Sequence, residues 1–557
     1  MSRCDRAIFP LGLALLTFAS LPTPVQAQIV PDTTLGPGNT SILNTHGIRT
    51  DITGGLQRNS ALFHSFDQFN VGTNAQVYFA NPVNVRNIFS RVTGKNLSSI
   101  DGLLGVSGNA NLFVMNPNGI IFGPNARLDV SGSFLATTAN ALEFADAQKF
   151  EATGARAVPL VEVNIPIGLQ MGTNAPAMIT NRGHLATGQN LTLAAGNLDL
   201  QGRLLAGGNL TLNATDTVKI RDTVTEPFLA RSGGDMAIQG NQSIDILALN
   251  HLANTPFVSG GNLTLISDGL ISTDAHFTAG QNFTVQTLAG AIGNVVSLYD
   301  PIINVGGNFN VNNYTGPSLQ VNAGGNIDYG DVTITAIDAA VDPFRPAFVL
   351  RAGGNITANG DVVTTAAGGV LRVDFEAVGN ITLSGVSPNA PRRITALSNA
   401  NNFFSVIRLR STGGSIFLNN AALSVSNNNP TTVGGAGDIF IEAARDIDIS
   451  NSVIESTGDF GRIFLGGVTG ERLTIRKSSL TTSNSLNLAG GGTGGLISID
   501  IPGSATVPGS IAIIDSSLRA ASSNAANGGL VALTARNAGT INIFSSLLDA
   551  SINGTGT

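Results

Sequence analysis

Two aspartates near the C-terminus are the residues best placed for acid–base chemistry. Asp446 and Asp448 stand two positions apart in an alternating segment, so they would share one face of a β-strand. Paired carboxylates of this kind, often with Arg or His nearby, act as acid and base in polysaccharide lyases and hydrolases. Glu442 lies four residues before Asp446, and nothing in the sequence makes it a partner. We therefore expect the two aspartates to line a solvated face.

Histidine, the usual general base at neutral pH, is scarce. Five histidines are present, none in a compact motif, and most are expected to be exposed or at strand edges: His46, His64, His184, His251 and His276. Gly434–Asp438 is similar to a calcium-binding nonapeptide, but its Asp falls one place early and the motif is not repeated. The sequence has no phosphate loop with Lys and no zinc pattern. It thus predicts no catalytic residue, no cofactor and no metal, and hence no enzyme.

The composition indicates a long, regular fold. Of 557 residues, 12% are charged and 67 are Gly, Trp is absent, and the mean hydropathy is +0.22. That charged share is about half of the usual one. So much apolar surface excludes a conventional disordered chain. Gly and Asn would then be used in turns.

The first 27 residues have the pattern of a secretory signal peptide. Arg3 and Arg6 form a basic start, Ile8–Leu21 an apolar stretch, and Val25–Ala27 small residues at the cleavage site. Because no later segment has 18 unbroken apolar residues, the mature chain is expected to be exported and soluble. The only cysteine is Cys4, inside the first segment, so the mature chain would have no disulfides.

The charge balance of the mature chain excludes several partners. Removing the signal segment leaves 27 basic and 35 acidic side chains, a net charge near −8. This balance predicts no binding to nucleic acid and no attraction to an anionic membrane surface.

Alternating apolar and polar residues predict strands through the N-terminal part. The segments are Ser41–Leu43, Leu62–Phe66, Phe69–Val71, Ala75–Phe79, Val85–Val92, Asn111–Phe122 and Ala126–Val130. From Phe134 to Phe150 the pattern weakens, and Ala139–Ala145 is interpreted as helical.

From about residue 180 onwards the chain repeats itself. Gly188–Leu193, Gly207–Leu212 and Gly260–Leu265 are near-copies of a Gly-Gly/Gln-Asn turn followed by an alternating strand, and units of 18–29 residues continue from them. Such a period indicates a solenoid, and β-branched strands with Gly/Asn turns favour a parallel β-helix over leucine-rich repeats. The repeated asparagines are expected to stack internally as an amide ladder. The repeated positions are Asn190, Asn209, Asn262, Asn282, Asn308, Asn326 and Asn355.

The C-terminal part continues this pattern through Asp438–Ile441, Asp446–Ile449, Leu496–Ile499 and Thr540–Ile543. The sequence stops at Gly554–Thr557 within it. We expect either a naturally short chain or a truncated reading frame.

One stretch combines two apolar strands with a well-made turn. Leu112–Met115 runs into Asn116-Pro117-Asn118-Gly119, and Ile120–Phe122 follows at once. Pro117 presets the first corner of a turn, Asn118 tolerates the second, and Gly119 closes it without steric cost.

Five segments in the N-terminal part resemble the filamentous-haemagglutinin-type two-partner secretion (TPS) domain, the N-terminal module of large exported adhesins and haemolysins. They are Phe66–Val71, Asn87–Gly94, Ile100–Gly102, Ala110–Ile120 and Leu128–Phe134, in the order of the family. The resemblance implies an all-β, right-handed parallel β-helix whose N-terminal module is recognised by a dedicated outer-membrane β-barrel transporter.

The resemblance also implies site residues. Asn116, Pro117, Asn118, Gly119 and Ile120 match the family's secretion motif. A second motif of the family, Asn-Pro-Asn-Leu, has only the loose counterpart Asn81–Asn84. The expected division is a signal peptide over 1–27, a TPS domain over 28–150 and a β-helical repeat region over 151–557.

The expected function is that of an exported surface protein of a Gram-negative cell. It would pass the Sec machinery, the periplasm and the transporter, be secreted or held at the surface, and bind a host-surface, cell-surface or polysaccharide ligand through its repeats. Two alternatives stay open: a β-helical polysaccharide lyase or hydrolase, and a passive matrix or sheath component.

Overall fold

The computed structural model describes most of the chain after residue 27. The described residues are 28–145, 147–153, 168–172, 177–250, 255–299, 302–366, 371–398, 405–427, 437–458, 461–467, 469, 471–484, 495–504, 506–522 and 529–551. Regular structure in these ranges consists of strands, and none of them contains a helix. Accordingly, no helix long and apolar enough to cross a membrane occurs in this part of the chain.

The strands form three parallel sheets, which we name faces A, B and C, and the chain visits them in the order C, B, A. For example, Asn197–Leu200 lies in face C, Arg203–Ala206 in face B and Leu210–Ala214 in face A. Each strand then pairs in parallel with the strand of the same face one coil later. The predicted parallel β-helix is thus confirmed.

Face A contains Ile29–Pro31, Leu56–Arg58, Ala61–Phe69, Asn87–Val92, Asn111–Met115, Phe134–Thr137, Leu191–Ala195, Leu210–Ala214, Met236–Gly240, Leu263–Ile266, Phe283–Gln286, Phe309–Val311, Ile327–Tyr329, Ile356–Ala358, Ile381–Ser384, Ile416–Asn419, Asp446–Ser450, Arg472–Arg476, Ser510–Ile514 and Thr540–Phe544.

Face B contains Ser41–His46, Arg49–Gly54, Gln76–Phe79, Leu103–Val106, Arg127–Asp129, His184–Thr187, Arg203–Ala206, Leu229–Ser232, Phe257–Ser259, Phe277–Ala279, Ile302–Val305, Leu319–Ala323, Ala347–Ala352, Arg372–Ala377, Ser405–Ser411, Gly437–Ala443, Arg462–Gly466, Leu496–Ile501 and Leu530–Ala535.

Face C contains Ser98–Ile100, Ile120–Phe122, Met178–Asn181, Asn197–Leu200, Thr217–Arg221, Ser243–Leu247, Leu270–Asp274, Val295–Val296, Tyr314–Gly316, Val332–Ile334, Val362–Thr364, Arg392–Ser398, Ala421–Asn427, Val453–Thr457, Ser479–Asn484, Ser517–Ser522 and Leu547–Asp549.

The core is a stack of apolar side chains between the three faces. Because register is kept from coil to coil, like residues lie directly above one another, as Leu191 over Leu210 and Ile356 over Ile381. Phe257 stacks on Phe277 with ring centroids 4.9 Å apart. One continuous cluster of buried side chains results, which supplies the burial that a chain without disulfides needs.

The corner between faces B and A carries the repeated Gly-Gly-Asn motif. A Cβ on Gly207 would lie 2.2 Å from the carbonyl oxygen of Gly188, and one on Gly208 would lie 2.4 Å from Oδ1 of Asn190. That Oδ1 accepts a hydrogen bond from the backbone N–H of Asn209 at 2.8 Å. The two glycines therefore let one coil approach the next closely enough for the Asn to bridge them.

This bridge is repeated as a continuous ladder at 2.7–3.2 Å, with each side-chain oxygen accepting from the next member's N–H. Its members are Asn190, Asn209, Asp235, Asn262, Asn282, Asn308, Asn326, Asn355, Asn380, Ser415 and Asp446. The predicted ladder exists, but its placement in the interior was wrong, because its Asn and Asp members lie at exposed or half-buried corners and Ser415 alone among the named members is buried. The interior is already filled by apolar side chains, where an amide would lose its water.

A second ladder occupies the corner between faces A and C near the C-terminus. Ser452, Ser478, Ser516 and Ser546 each accept a hydrogen bond through Oγ from the preceding coil's backbone N–H, at 3.0–3.1 Å. The residue before each serine is left-handed, with φ between 47° and 49°. The third corner, from face C to face B, varies in length from residues 201–202 to residues 335–346.

The N-terminal coils are covered on their outside as well. Ala141–Glu143, Lys149–Glu151 and Gly168–Gln170 form a small antiparallel sheet. Its apolar residues pack in a second cluster against outward-facing phenylalanines of face A. The helix predicted for Ala139–Ala145 is therefore wrong. The outer phenylalanines require an apolar cover, and that tertiary demand overrides a weak local helix preference.

The first strands also depart from the parallel pattern. Ile29–Pro31 and Leu56–Arg58 both pair antiparallel with Ala61–Phe69, and Ser41–His46 forms a hairpin with Arg49–Gly54. These strands occupy the start of the stack, where a parallel edge would otherwise be open.

Candidate functional site

The motif Asn116–Ile120 forms the corner between the face A strand Asn111–Met115 and the face C strand Ile120–Phe122. The Gly119 N–H donates to the carbonyl oxygen of Asn116 at 3.1 Å, which closes the turn. Gly119 has φ of +122°, in the region that favours glycine, and a Cβ there would lie 3.2 Å from the Met178 carbonyl oxygen. The turn predicted from the sequence is confirmed.

Asn116 is a structural residue of this corner, because its side chain is fully buried. Its Nδ2 donates to the Asn96 carbonyl oxygen and to Ser98 Oγ of the preceding coil, both at 3.0 Å. Its Oδ1 accepts from the Asn118 backbone N–H at 3.0 Å. Asn116 thus ties two coils together and shapes the turn at the same time.

The motif presents only part of itself to solvent. Pro117 is half-buried and Asn118 is exposed, whereas Gly119 and Ile120 are buried. Asn118 Nδ2 donates to the Gly94 carbonyl oxygen at 2.9 Å, so the exposed amide is held in one orientation. An approaching macromolecule would therefore contact Pro117 and Asn118.

A polar cleft adjoins this exposed pair. Its volume is about 330 Å³, and it lies between the motif corner, the following coils and the loops of the small antiparallel sheet. Its lining residues are Pro117, Asn118, Thr138, Asn140, Thr153, Met171, Gly172, Ala177, Gly196 and Thr215. Motif and small sheet thus form one surface.

A buried polar network, missed by the sequence reasoning, joins the same parts of the fold. Arg91 is fully buried on face A. Its Nε donates to Ser65 Oγ at 3.0 Å, its Nη2 to Thr34 Oγ1 at 3.0 Å and its Nη1 to the Glu151 carbonyl oxygen at 2.5 Å. The guanidinium also lies 4.6 Å from the Phe150 ring centroid. Arg91 therefore connects the entry loop and face A to the small sheet.

Asp32 supplies the carboxylate of this network. It accepts hydrogen bonds from Thr34, Ser65 and Thr93. Burial alone would raise the pKa of Asp32, but these hydrogen bonds outweigh it and hold the pKa below its usual value. The sequence carried no clear signal of this burial, because Asn87–Val92 contains as many polar as apolar residues and so lacks the continuous apolar run of a strand buried on both faces.

His64 lies in the interior, unlike the exposed or edge position expected for most histidines. Its Nδ1 is 2.9 Å from Ser41 Oγ, and its Nε2 has no hydrogen-bond partner in the described structure. Burial lowers the pKa of His64 to about 3. Ser41 is buried too, so this pair has no access for a substrate.

The other candidates for acid–base chemistry are dispersed. Asp446 and Asp448 share the outer surface of face A, and Asp446 forms an ion pair with Arg472 at 3.2 Å. Glu442 lies on face B beside Arg408 and Arg410. His184 is paired with Glu226 at 2.9 Å. His251 and Gly434–Ala436 lie outside the described residues, and Asp438 is paired with Arg462.

The described residues contain no group of three or more His, Cys, Asp or Glu side chains that could hold a metal ion.

Comparisons with known proteins place a family domain in the N-terminal half. Residues 27–282 match the TPS secretion domain. A 75-residue segment is 39% identical to the heme/hemopexin-binding protein of Haemophilus influenzae, and it covers 14% of this chain and 8% of that protein. The chain thus matches less than a tenth of the length of this relative.

Two solved structures are also similar. The HMW1 secretion domain from Haemophilus influenzae is 14% identical with a TM-score of 0.20, and the match covers 95% of this chain and all of that one. The filamentous hemagglutinin secretion domain is 18% identical with a TM-score of 0.20, covering 62% and 99%. At such low scores, the fold assignment rests on the strand pairing described above.

Proposed function

We propose that this chain, which carries a TPS secretion domain over residues 27–282, is exported by a cognate outer-membrane transporter and acts outside the cell as a binding protein. The signal segment 1–27 would direct it through the Sec machinery. The repeats would bind a surface or polysaccharide ligand without catalysis. The observation that carries the export proposal is the motif corner, where Pro117 and Asn118 are held rigidly beside a polar cleft.

The secretion motif would have two parts with different tasks. Asn116, Gly119 and Ile120 form the buried frame of the corner, and Pro117 and Asn118 are the surface that the transporter would contact. We keep as a proposal the division expected from the sequence, with a TPS domain over 28–150 and a β-helical repeat region over 151–557. Most of the outer cover and of the Arg91 network lies within the first of these, but the strand Gly168–Gln170 and the Glu151 carbonyl that accepts from Arg91 lie beyond residue 150.

The stacked fold suits passage through a pore. A chain without cysteine after residue 27 can cross unfolded, because no disulfide must be broken. Each emerging coil then finds a parallel edge on the coil before it. The antiparallel strands at the N-terminus would supply the first edge.

The test is secretion of the chain in a Gram-negative host with and without its candidate transporter. Asn118→Ala should reduce transporter-dependent secretion, because it removes an exposed amide. Asn308→Ala is the matched control, since it removes an amide of the corner ladder in the repeats and should leave secretion unchanged. Export without the transporter, or equal secretion of both variants and the wild type, would refute the proposal. Asn116→Ala is unsuitable alone because its loss would also loosen the corner.

A further inference from the structure

An array of ion pairs crosses the outer surface of face B in the repeat region. It spans the strands Ala347–Ala352, Arg372–Ala377, Ser405–Ser411 and Gly437–Ala443, with the loop 335–346 at its side. The array contains five guanidinium groups and four carboxylates: Arg345, Arg351, Arg372, Arg408, Arg410, Asp342, Asp374, Glu376 and Glu442. One positive charge is in excess here, although the whole chain carries −7.

The members of the array are paired unequally. Arg351 and Arg372 approach the Asp374 carboxylate at 2.8 Å and 2.6 Å, as hydrogen-bonded pairs do. Burial would raise the pKa of Asp374, but hydrogen bonds from these two arginines outweigh it and lower the pKa. This part of the array is therefore saturated and ionised.

The guanidinium groups one coil further along are not saturated. Arg408 reaches only Glu442, at 3.5 Å, within the described residues. Arg410 lies 3.9 Å from Glu376 and 4.0 Å from Glu442, and its buried Nε has no hydrogen-bond partner there. An arginine carries five donors, so most donors of this pair have no protein acceptor among the described residues.

A cleft of about 340 Å³ opens at Arg408. Arg345, Arg372 and Arg408 form its cationic sides, and Val406 and Phe440 contribute apolar surface. Asp374 and Glu442 also line it. The cleft thus offers guanidinium forks and an apolar wall within one small volume.

We propose that this cleft binds a small monoanionic carboxylate whose remaining part is apolar or a ring. The two carboxylate oxygens match the paired N–H donors of the Arg408 guanidinium, and the apolar part of the ligand would pack on Val406 and Phe440. Asp374 and Glu442 disfavour a dianion such as phosphate, because repulsion from two resident carboxylates grows with ligand charge. This inference goes beyond export, since it concerns the repeat region and holds whichever route the chain takes out of the cell.

The test uses the purified mature chain and isothermal titration with benzoate, with neutral benzamide and inorganic phosphate as comparison ligands. Benzoate should bind at millimolar concentration, and Arg408→Gln should weaken it about tenfold by removing the charged fork. Arg462→Gln is the matched control, because Arg462 lies on the same face but is already paired with Asp438 at 2.5 Å. That control should bind benzoate as the wild type does.

Several outcomes would overturn the inference. One is equal benzoate affinity in Arg408→Gln and the wild type. Another is benzamide binding as tightly as benzoate, which would make the site merely apolar. Tighter binding of phosphate than of benzoate would refute the monoanion assignment. Arg408 is 41% exposed, so its variant should fold, and an unchanged circular dichroism spectrum verifies this.

Discussion

One column of residues on the outside of face A separates the two regions of this molecule. In the N-terminal coils the column reads Phe63, Phe89, Phe113 and Leu135. One coil later it changes to Thr192 and then Thr211, in unbroken register. The phenylalanines lie beneath the small antiparallel sheet, whereas the threonines face solvent. The same backbone position is thus core in one region and surface in the other.

This difference shows how a repetitive fold can carry a distinct module. Both regions share the inner core, so stacking alone does not distinguish them. The N-terminal coils add a second apolar layer and the buried network of Arg91. We interpret this addition as the means by which the motif corner and the small sheet are held in one arrangement for recognition.

The largest effect should come from the column itself. Phe89→Ala should cost about 4 kcal/mol of local unfolding free energy, because it leaves a cavity between the face A strands and the small sheet. Thr211→Ala, at the equivalent position in the repeats, should change stability by less than about 0.5 kcal/mol. Hydrogen exchange of the amides in Asn87–Val92 and Leu210–Ala214 measures both. Equal losses would contradict the two-layer interpretation.

The second comparison concerns arginines. Arg91→Ala should cost about 3 kcal/mol, because Ser65, Thr34 and the Glu151 carbonyl lose a buried charged donor. Arg472→Ala should cost under about 1 kcal/mol, since its pair with Asp446 is exposed. Protection of the small sheet against proteolysis is a suitable readout, and it should decrease in the first variant alone. A sheet that stays protected in Arg91→Ala would show that the network is dispensable.

The third prediction is a pH dependence that His64 contributes in the N-terminal region. The pKa of His64 is about 3 in the folded chain and near 6.5 when unfolded, so only the unfolded state takes up a proton between these values. Stability contributed by neutral His64 is complete above pH 6.5 and falls as the pH falls, by about 2 kcal/mol at pH 5. Urea unfolding monitored at Ala61–Phe69 should show this slope, and His64→Asn should remove it. If the unfolding free energy of the wild type did not change between pH 6.5 and pH 5, the prediction would be wrong.

The smallest effect is expected at the corner ladder of the repeats. Asn209→Ala removes one acceptor, for the Asp235 N–H, and should cost about 1 kcal/mol because water can replace it at this exposed corner. Ser478→Ala should cost more, since its hydroxyl is buried and also donates to the Arg476 carbonyl oxygen. Local hydrogen exchange at Met236–Gly240 and at Ser479–Asn484 checks the order. A larger loss of stability for Asn209→Ala than for Ser478→Ala would contradict the expectation that the buried serine ladder contributes more than the exposed asparagine ladder.

The strands and the turn could be predicted because their causes are local. Alternation of apolar residues marks each coil, and Pro117, Asn118 and Gly119 dictate a turn by their own backbone preferences. The repeated Gly-Gly-Asn motif predicted a ladder of side chains. It did not predict that the ladder lies at the exposed corner, since that depends on where the backbone N–H of the next coil lies. The serine ladder could not be predicted, because a serine that follows a residue able to adopt left-handed φ is common in any turn.

The sequence by itself thus determined the parallel β-helix, its repeat and the resemblance to a secretion domain, since each depends on residue types and their spacing along the chain. Tertiary structure alone decided the rest. Asn116 proved to be a buried tie between coils, Ala139–Ala145 a strand region rather than a helix, and Arg408 a guanidinium with spare donors. The reason is physical: burial and pairing of these side chains depend on residues that are distant in sequence and adjacent only after the coils have stacked.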